Sequence, residues 1–431
     1  MKVLVVGSGG REHALAWKLK QSADVDEVIV APGNAGTQQE PGVRNVDIAA
    51  TDTAGLITLC QRENIEFTVV GPEVPLVAGI VDAFVEVNLA CFGPTANAAR
   101  LEGSKAFSKD FMQRYAIPTA AHETFSDAAA AKVYVQSQGA PIVIKADGLA
   151  AGKGVVVAQT EDEAANAIDD MLSGNGFGEA GHRVVVEEFL PGEEASFICL
   201  CDGTNAIPFA SSQDHKARDD GDRGPNTGGM GAYSPAPVVT QQIHDRAMEE
   251  VILPTLKGMQ AEGSPYRGFL YAGLMVSPDG EIKVVEFNCR FGDPEAQPIM
   301  MRLRSDLLPA LQQAAAGALQ TDSLAFDPRT ALGVVMAAGG YPSSYETGDP
   351  ITGLDKNLED TKVFHAGTRK ENDAVITAGG RVLCVVGLGD TAAMAQFRAY
   401  ERIESIGWRG RYFRKDIGYR AVTRENEVSH G

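Results

Sequence analysis

The sequence predicts a multidomain protein of mixed α/β and α+β class, with a doubly wound α/β domain at its amino terminus. Three observations carry this. The chain has 431 residues, and at roughly 100–200 residues per domain that length divides into two to four domains, three being the middle value. The first hundred residues alternate short apolar runs with helical patterns, which implies a parallel sheet covered on both faces. From about Leu190 to Ala318 longer runs joined by turn residues replace that alternation, the pattern of antiparallel pairing.

Residues 3–6, 28–30 and 67–70 are short apolar runs and predict buried strands. Residues 12–21 and 75–89 predict helices, the second with Pro75 in its first turn. Glycine-containing loops follow the strands at 7–10, 32–36 and 71–73. In a parallel sheet such loops gather along one edge, where ligands bind. A second α/β piece spans about 124–189, with strands at 141–145, 154–158 and 183–187. Its helix over 160–172 opens on a capping box, Thr160 with Glu163, and carries an apolar stripe of Ala164, Ala167, Ile168, Met171 and Leu172. Residues 269–276 and 282–287 flank Ser277-Pro278-Asp279-Gly280 and predict a hairpin. Strands at 332–337 and 382–386 and a helix over 391–404 close the chain, with no internal repeat.

Lys plus Arg number 38 and Asp plus Glu 57, a formal charge of −19. Such a surface repels polyanions and argues against nucleic acid or an anionic membrane as partner. A phosphate ester would need a local cluster of cations and backbone N–H groups. Glycine makes up 47 of 431 residues, well above the average of about 7%. The six cysteines form no CxxC pair and read as small buried hydrophobes of a reducing compartment. The first apolar run is too short for a signal peptide and none approaches a membrane span, so a cytoplasmic chain is expected.

Gly7-Ser8-Gly9-Gly10 after the first strand admits three readings: a dinucleotide turn, a single-phosphate site with Arg11 adding charge, or a tight turn without ligand. The first is weakened because Glu12 stands where the third fingerprint glycine belongs. The segment 145–155 (KADGLAAGKGV) is not a Walker A loop: Gly154 replaces the magnesium-binding hydroxyl, and a strand follows where a helix should open. It reads as a glycine-rich flap over nucleotide phosphates, Lys145 and Lys153 supplying charge, or as a merely flexible hairpin. The metal must then be held elsewhere. Glu286, Asn288 and Arg290 alternate along a strand and share a face, with Val285, Phe287 and Cys289 turned to the core. A carboxylate and an amide oxygen suit Mg²⁺, and the neighbouring guanidinium suits a transferring phosphoryl group. Glu187, Glu188, Glu193 and Glu194 crowd one apolar turn, where ribose hydroxyls and an adenine amino group are natural donors; a solvated acidic turn is the alternative. Residues 212–216 and 224–231 flank a charged loop, and the second reads as a backbone-rich substrate loop.

Residues 9–14 (GGREHA), 145–155, 224–237 and 290–295 (RFGDPE) together resemble the ATP-grasp superfamily and, within it, the glycinamide ribonucleotide synthetases, over nearly the whole chain. The resemblance implies a ligase that uses ATP to join glycine to 5-phosphoribosylamine through glycyl phosphate. It implies Lys105 and Lys145 on the ATP phosphates, Gly152, Lys153 and Gly154 in a mobile flap, and Glu187, Phe189, Leu190 and Glu194 around adenine and ribose. Glu286 and Asn288 would hold magnesium or manganese. Arg290, Lys153 and Asp293 would be catalytic, with Asp214, His215, Lys216 and Gly292 on the substrate side. Gly9, Gly10, Gly33 and Asn34 would take the ribose phosphate, with Glu73 near its hydroxyls. The implied layout is an amino-terminal substrate domain over 1–103, an ATP-grasp core over 104–327 with a lid at about 123–190, and a small domain over 328–425, acting as a monomer. Many superfamily members carry a further metal-binding acid on the preceding strand; residues 271–275 here have none. Rivals are an ATP-grasp carboxylase using bicarbonate, a nicotinamide-dependent oxidoreductase, and a non-catalytic nucleotide binder.

Overall fold

The computed structural model describes residues 1–149, 154–173 and 182–430. The amino-terminal sheet is wholly parallel: β1 (Lys2–Gly7), β2 (Glu27–Pro32), β3 (Val43–Asn45), β4 (Phe67–Val70) and β5 (Cys91–Phe92) lie in the order β3-β2-β1-β4-β5. Alternate residues of β1 feed two cores, Leu4 and Val6 one and Val3 and Val5 the other. Burial on both faces is why these strands read as unbroken apolar runs. The helix after β1 spans Gly10–Leu19. The single helix expected over 75–89 is instead two, Glu73–Val77 and Ile80–Glu86. Gly79 between them takes φ +87, a left-handed conformation that ends one helix and starts the next.

A second sheet comprises β6 (His122–Phe125), β7 (Ile142–Ala146), β8 (Val155–Ala158) and β9 (Val184–Glu188), in the order β6-β9-β7-β8 with every pair antiparallel. Ile142, Ile144, Val184 and Val186 pack under helices Ala128–Gln138 and Glu161–Leu172. The period of two then turns Val143, Lys145 and Glu187 to the uncovered face. At helix Glu161–Leu172 the Thr160 hydroxyl accepts the Glu163 N–H as expected, but the box does not close: Glu163 accepts the N–H of Gln159, one residue before the N-cap, at 2.7 Å.

The third sheet, in the order β11-β10-β16-β17, is built from β10 (Glu193–Asp202), β11 (Ala206–Pro208) and the hairpin β16 (Arg267–Val276) with β17 (Ile282–Asn288). The fourth runs β12-β15-β18-β22-β19 and joins β12 (Gln213–Asp214) and β15 (Gly231–Ser234) to β18 (Thr330–Ala337), β19 (Thr361–His365) and β22 (Arg381–Gly389). The ribbons β13 (Ala217–Asp219) with β14 (Arg223–Asn226), and β20 (Thr368–Glu371) with β21 (Ala374–Thr377), are appended. The carboxy-terminal segment therefore shares a continuous sheet with the middle of the chain. All six cysteines are free and buried. Among the described residues no helix is long and apolar enough to cross a membrane.

Candidate active site

A cavity of about 510 Å³ opens between the uncovered face of the second sheet and the hairpin β16–β17, with amino- and carboxy-terminal residues at its rim. A bulge shapes it. Register along β16–β17 shifts between Gly273 and Leu274, so that Gly273 faces Glu286 while Leu274 faces Val284. Val285, expected in the core, is instead half-buried and lines the cavity. Its carbonyl, freed from regular pairing, accepts the Lys145 ammonium at 3.0 Å. Phe287 and Cys289 are buried as the alternation requires, and Glu286, Asn288 and Arg290 face the cavity.

Four cations converge on these residues. Lys105, in the first turn of helix Lys105–Arg114, donates to the Gly148 carbonyl at 2.7 Å. Asp147 docks that helix start by accepting the Ser104 hydroxyl and the Ala106 N–H, each at 3.1 Å. Burial would raise the Glu286 carboxyl, but Lys216, Lys145, Lys105 and Arg290 hold it down to about 2. Lys216 sits 3.6 Å from Glu286 and is also hydrogen-bonded to Glu194. Burial, partly opposed by Lys216, pushes the Asp214 carboxyl well above its ordinary value, with Glu295, Glu194 and Glu286 adding to the rise. Arg290 reaches Glu102 at 3.0 Å, Asn288 Oδ1 at 2.9 Å and Glu73 at 3.3 Å.

The resemblance implies magnesium, and Glu286 and Asn288 are its expected donors. Glu286 offers an ionised carboxylate whose nearest cation, Lys216, is beyond hydrogen-bond distance. Asn288 Oδ1 accepts from Arg290 and keeps its second lone pair. Among the described residues no three His, Cys, Asp or Glu form a complete metal cage. Two hard oxygens beside a phosphate-sized space suit an ion that retains water and takes phosphate oxygens. The donor chemistry fits.

Glu187, expected to meet adenine or ribose, has its Oε2 2.9 Å from both Lys145 and Lys109 and keeps Oε1, buried without a partner, for a ligand. Other expectations are corrected. His215 does not face the cavity. Along β12 and beyond, side chains alternate, so Asp214 and Lys216 point in and His215 points out. Its Nε2 accepts the Gly418 N–H at 2.9 Å, and Asp222 lies 3.5 Å from Nδ1. Asn34 spends its side chain on backbone groups, donating to the Ser8 and His365 carbonyls and accepting from the Gly36 and Thr37 N–H groups of its own loop. The Gly9 N–H, expected to meet phosphate, donates to Glu12 Oε2 at 2.6 Å. Arg11 likewise pairs with Glu12 at 2.6 Å.

Phe189, Leu190, Glu194, Glu73, Gly154 and Asp293 also line the main cavity. Gly152 and Lys153 lie outside the described residues. Gly9, Gly33 and Asn34 border a second cavity of about 380 Å³ that shares Asp293, Tyr341 and Arg381 with the first. Gly10 borders neither; a side chain there would run into Gln297. Gly292 makes room for the Glu295 carboxylate. Sequence reasoning missed Lys109, Glu102, Tyr341 and Arg381. Lys109 stands one helical turn beyond Lys105, a spacing that puts both on one face; Glu102 left no such signal.

The chain matches the phosphoribosylglycinamide synthetase N domain over residues 1–102, the ATP-grasp (A) domain over 103–296 and the C domain over 331–420. It is 61% identical to a phosphoribosylamine–glycine ligase of Yersinia pestis, over 98% of this chain and 100% of that one. It is also 61% identical to the protein of that name from Allochromatium vinosum, over 99% and 100%. The crystal structure of a phosphoribosylamine–glycine ligase from Thermotoga maritima superposes with a TM-score of 0.84 at 35% identity, covering 97% of this chain and 100% of that one. A biotin carboxylase from Campylobacter jejuni shares the fold alone, with a TM-score of 0.75 at 16% identity and coverage of 96% and 92%. With three domains in sequence and one cavity drawing on all of them, the chain belongs to the phosphoribosylglycinamide synthetase family.

Proposed function

We propose that this protein ligates glycine to 5-phosphoribosylamine with ATP, giving glycinamide ribonucleotide, ADP and phosphate, a cytoplasmic step of purine synthesis. The observation that carries the reading is the pairing of Glu286 and Asn288 on β17 with Lys105 and Lys145 across one cavity, in a chain about 61% identical to curated ligases of that name. The glycine carboxylate attacks the γ-phosphorus and ADP departs. The amine then attacks the acyl carbon of glycyl phosphate, and phosphate leaves with the proton the amine loses.

Lys105 and Lys145 would neutralise the phosphate oxygens, and magnesium or manganese held by Glu286 and Asn288 would supply further charge compensation. Arg290 would steady the acyl phosphate. Asp214, its carboxyl raised by burial, would accept the glycine ammonium, whose charge favours the ionised form. Burial opposes ionisation of Asp293, but Arg381 and Arg11 keep it ionised, so it would accept a hydrogen bond from the attacking amine and orient it. Glu187 Oε1, buried and unpaired, is free to accept an adenine amino proton, with Phe189 and Leu190 beside it. Glycyl phosphate would hydrolyse in water, so the site must exclude water before transfer. A single chain supplies every residue invoked, and we propose that a monomer suffices. The test is ADP release with glycine and freshly made phosphoribosylamine, each omitted in turn. Release should require both; equal release without glycine, or with bicarbonate in its place, refutes the reading.

A further inference from the structure

The charged ribbon β13–β14 joins two parts of the site without entering it. Asp214 and Lys216 line the main cavity before it and Asn226, Thr227 and Gly228 after it, whereas residues 217–225 are not among the described residues that line either cavity. Its base is closed where the Lys216 carbonyl accepts the Thr227 N–H and hydroxyl, each at 2.8 Å. Residues 412–420, the end of the matched C domain, bind the ribbon along its length. Tyr412 donates to the Arg218 carbonyl at 3.1 Å and to Asp219 at 2.8 Å. The Lys415 N–H donates to Asp220 and the Gly221 N–H to Asp416, each at 2.8 Å. At the tip Asp222 takes φ +54, a conformation uncommon outside glycine. Its carboxylate accepts Arg414 at 2.8 Å, Tyr419 at 2.8 Å and Arg420 at 2.6 Å. Arg414 anchors this segment. It is fully buried, and its fork is engaged at three places. Nε and Nη2 donate bidentately to Asp416, while Nη1 donates to Asp222 at 2.8 Å and to the Ala217 carbonyl at 3.1 Å. Ala217 follows Lys216, so the Arg414 side chain fixes the backbone where Lys216 turns into the cavity. His215, directed the other way, adds a second tie through the Gly418 N–H.

We infer that residues 412–420 form a strap on this ribbon, with Arg414 as the positioning residue that keeps Asp214 and Lys216 directed into the site. This rests on the proposed function, in which Asp214 receives the glycine ammonium. The strap then governs the glycine position from outside the cavity, by holding backbone rather than by touching substrate. Lys105, Lys145 and Glu187 lie on elements apart from the ribbon and its strap, so the nucleotide position is independent of it.

The test uses Arg414→Lys and Asp222→Asn in the full chain. Lysine keeps the charge, but its single ammonium cannot serve Asp416, Asp222 and the Ala217 carbonyl at once. Hydrogen exchange of the ligand-free protein, read by mass spectrometry over peptides spanning 215–231, reports on the ribbon, and steady-state KM values for glycine and ATP report on the site. Losing charge-assisted ties should speed exchange over this span about tenfold or more in Arg414→Lys, with the amino-terminal sheet unchanged. Misplacing Asp214 should raise KM for glycine about tenfold or more, with KM for ATP within about twofold. Unchanged exchange overturns the strap. Faster exchange with an unchanged glycine KM, or with an equal rise in both KM values, overturns the positioning role and marks Arg414 as a structural tie only. Should Arg414→Lys not fold, Asp222→Asn decides by the same readouts. Wild-type protein that releases ADP equally without glycine would count against the proposed reaction, while the exchange rates would still decide whether residues 412–420 hold the ribbon.

Discussion

Replacing Arg290 with Met removes the hub of a buried charge network. Its guanidinium lies 3.0 Å from Glu102 and 3.3 Å from Glu73, and donates to Asn288 at 2.9 Å and to the Phe291 carbonyl at 3.2 Å. Breaking a buried pair by deleting one partner costs about 3–5 kcal/mol, because the remaining charge is stranded. Here one stranded group can neutralise itself. Burial already raises the Glu102 carboxyl, with Arg290 opposing and Glu73 adding. Without Arg290 that carboxyl rises further and takes up a proton, so the loss should fall near the lower end, about 3 kcal/mol. The sign of the pH effect follows. A carboxyl whose folded value lies above its unfolded one favours folding as pH falls, so the deficit should shrink from pH 7 towards pH 5. Glu102→Gln in the same chain removes the stranded charge, while its amide oxygen can still accept the Cys289 N–H that Glu102 accepts at 2.7 Å. Urea unfolding followed by circular dichroism at both pH values measures the effect. The single variant should unfold at markedly lower urea than wild type at pH 7, and the double variant should recover part of the loss. Equal midpoints for single and double variants, or a deficit that grows on acidification, would show that Glu102 is not the stranded charge.

Three further outcomes follow from particular residues. Burial lowers the Lys109 ammonium to about 8 despite Glu187 beside it, so raising the pH through 8 removes one of the two cations on Glu187; kcat/KM for ATP should fall there, and Lys109→Arg should flatten that limb, whereas superimposable profiles would exclude the link. Glu286→Gln keeps the shape and removes the charge, so the Mg²⁺ concentration for half-maximal ADP release should rise at least about tenfold; an unaltered Mg²⁺ titration would place the ion elsewhere. Gly79 has φ +87 and space for a methyl group, whose nearest neighbours would stand 3.6 Å away, so Gly79→Ala should cost about 1–2 kcal/mol through backbone strain alone, read as a lower Tm with catalysis retained.

Much of this architecture is legible where local chemistry and tertiary burial agree. The apolar runs at 3–6, 28–30 and 67–70 all lie within parallel strands, since a strand covered on both faces has no polar side to confuse its pattern. Thr160 marks a helix start because an N-cap hydrogen bond is local. Gly79 shows where locality fails: the apolar pattern runs through it, and only its left-handed backbone divides the helix. Val285 shows a second limit. The alternation from 284 to 290 is regular in sequence, but one unpaired residue in the ladder turns Val285 from the core to the cavity. His215 shares a segment with two site residues, yet strand parity sets it opposite Asp214 and Lys216. Glu102 and Arg381 meet the site through contacts as far as 188 and 88 positions away, such as those with Arg290 and Asp293, and no local pattern encodes such distance.

Ligation through glycyl phosphate requires that the glycine carboxylate itself be phosphorylated. Glycine labelled with ¹⁸O in both carboxylate oxygens tests this directly, by mass analysis of the phosphate released during turnover with phosphoribosylamine. The mechanism requires one labelled oxygen in each phosphate, because the carboxylate oxygen that attacks the γ-phosphorus leaves with it. Phosphate carrying only ¹⁶O, with both labelled oxygens kept by glycine or its product, would contradict the account.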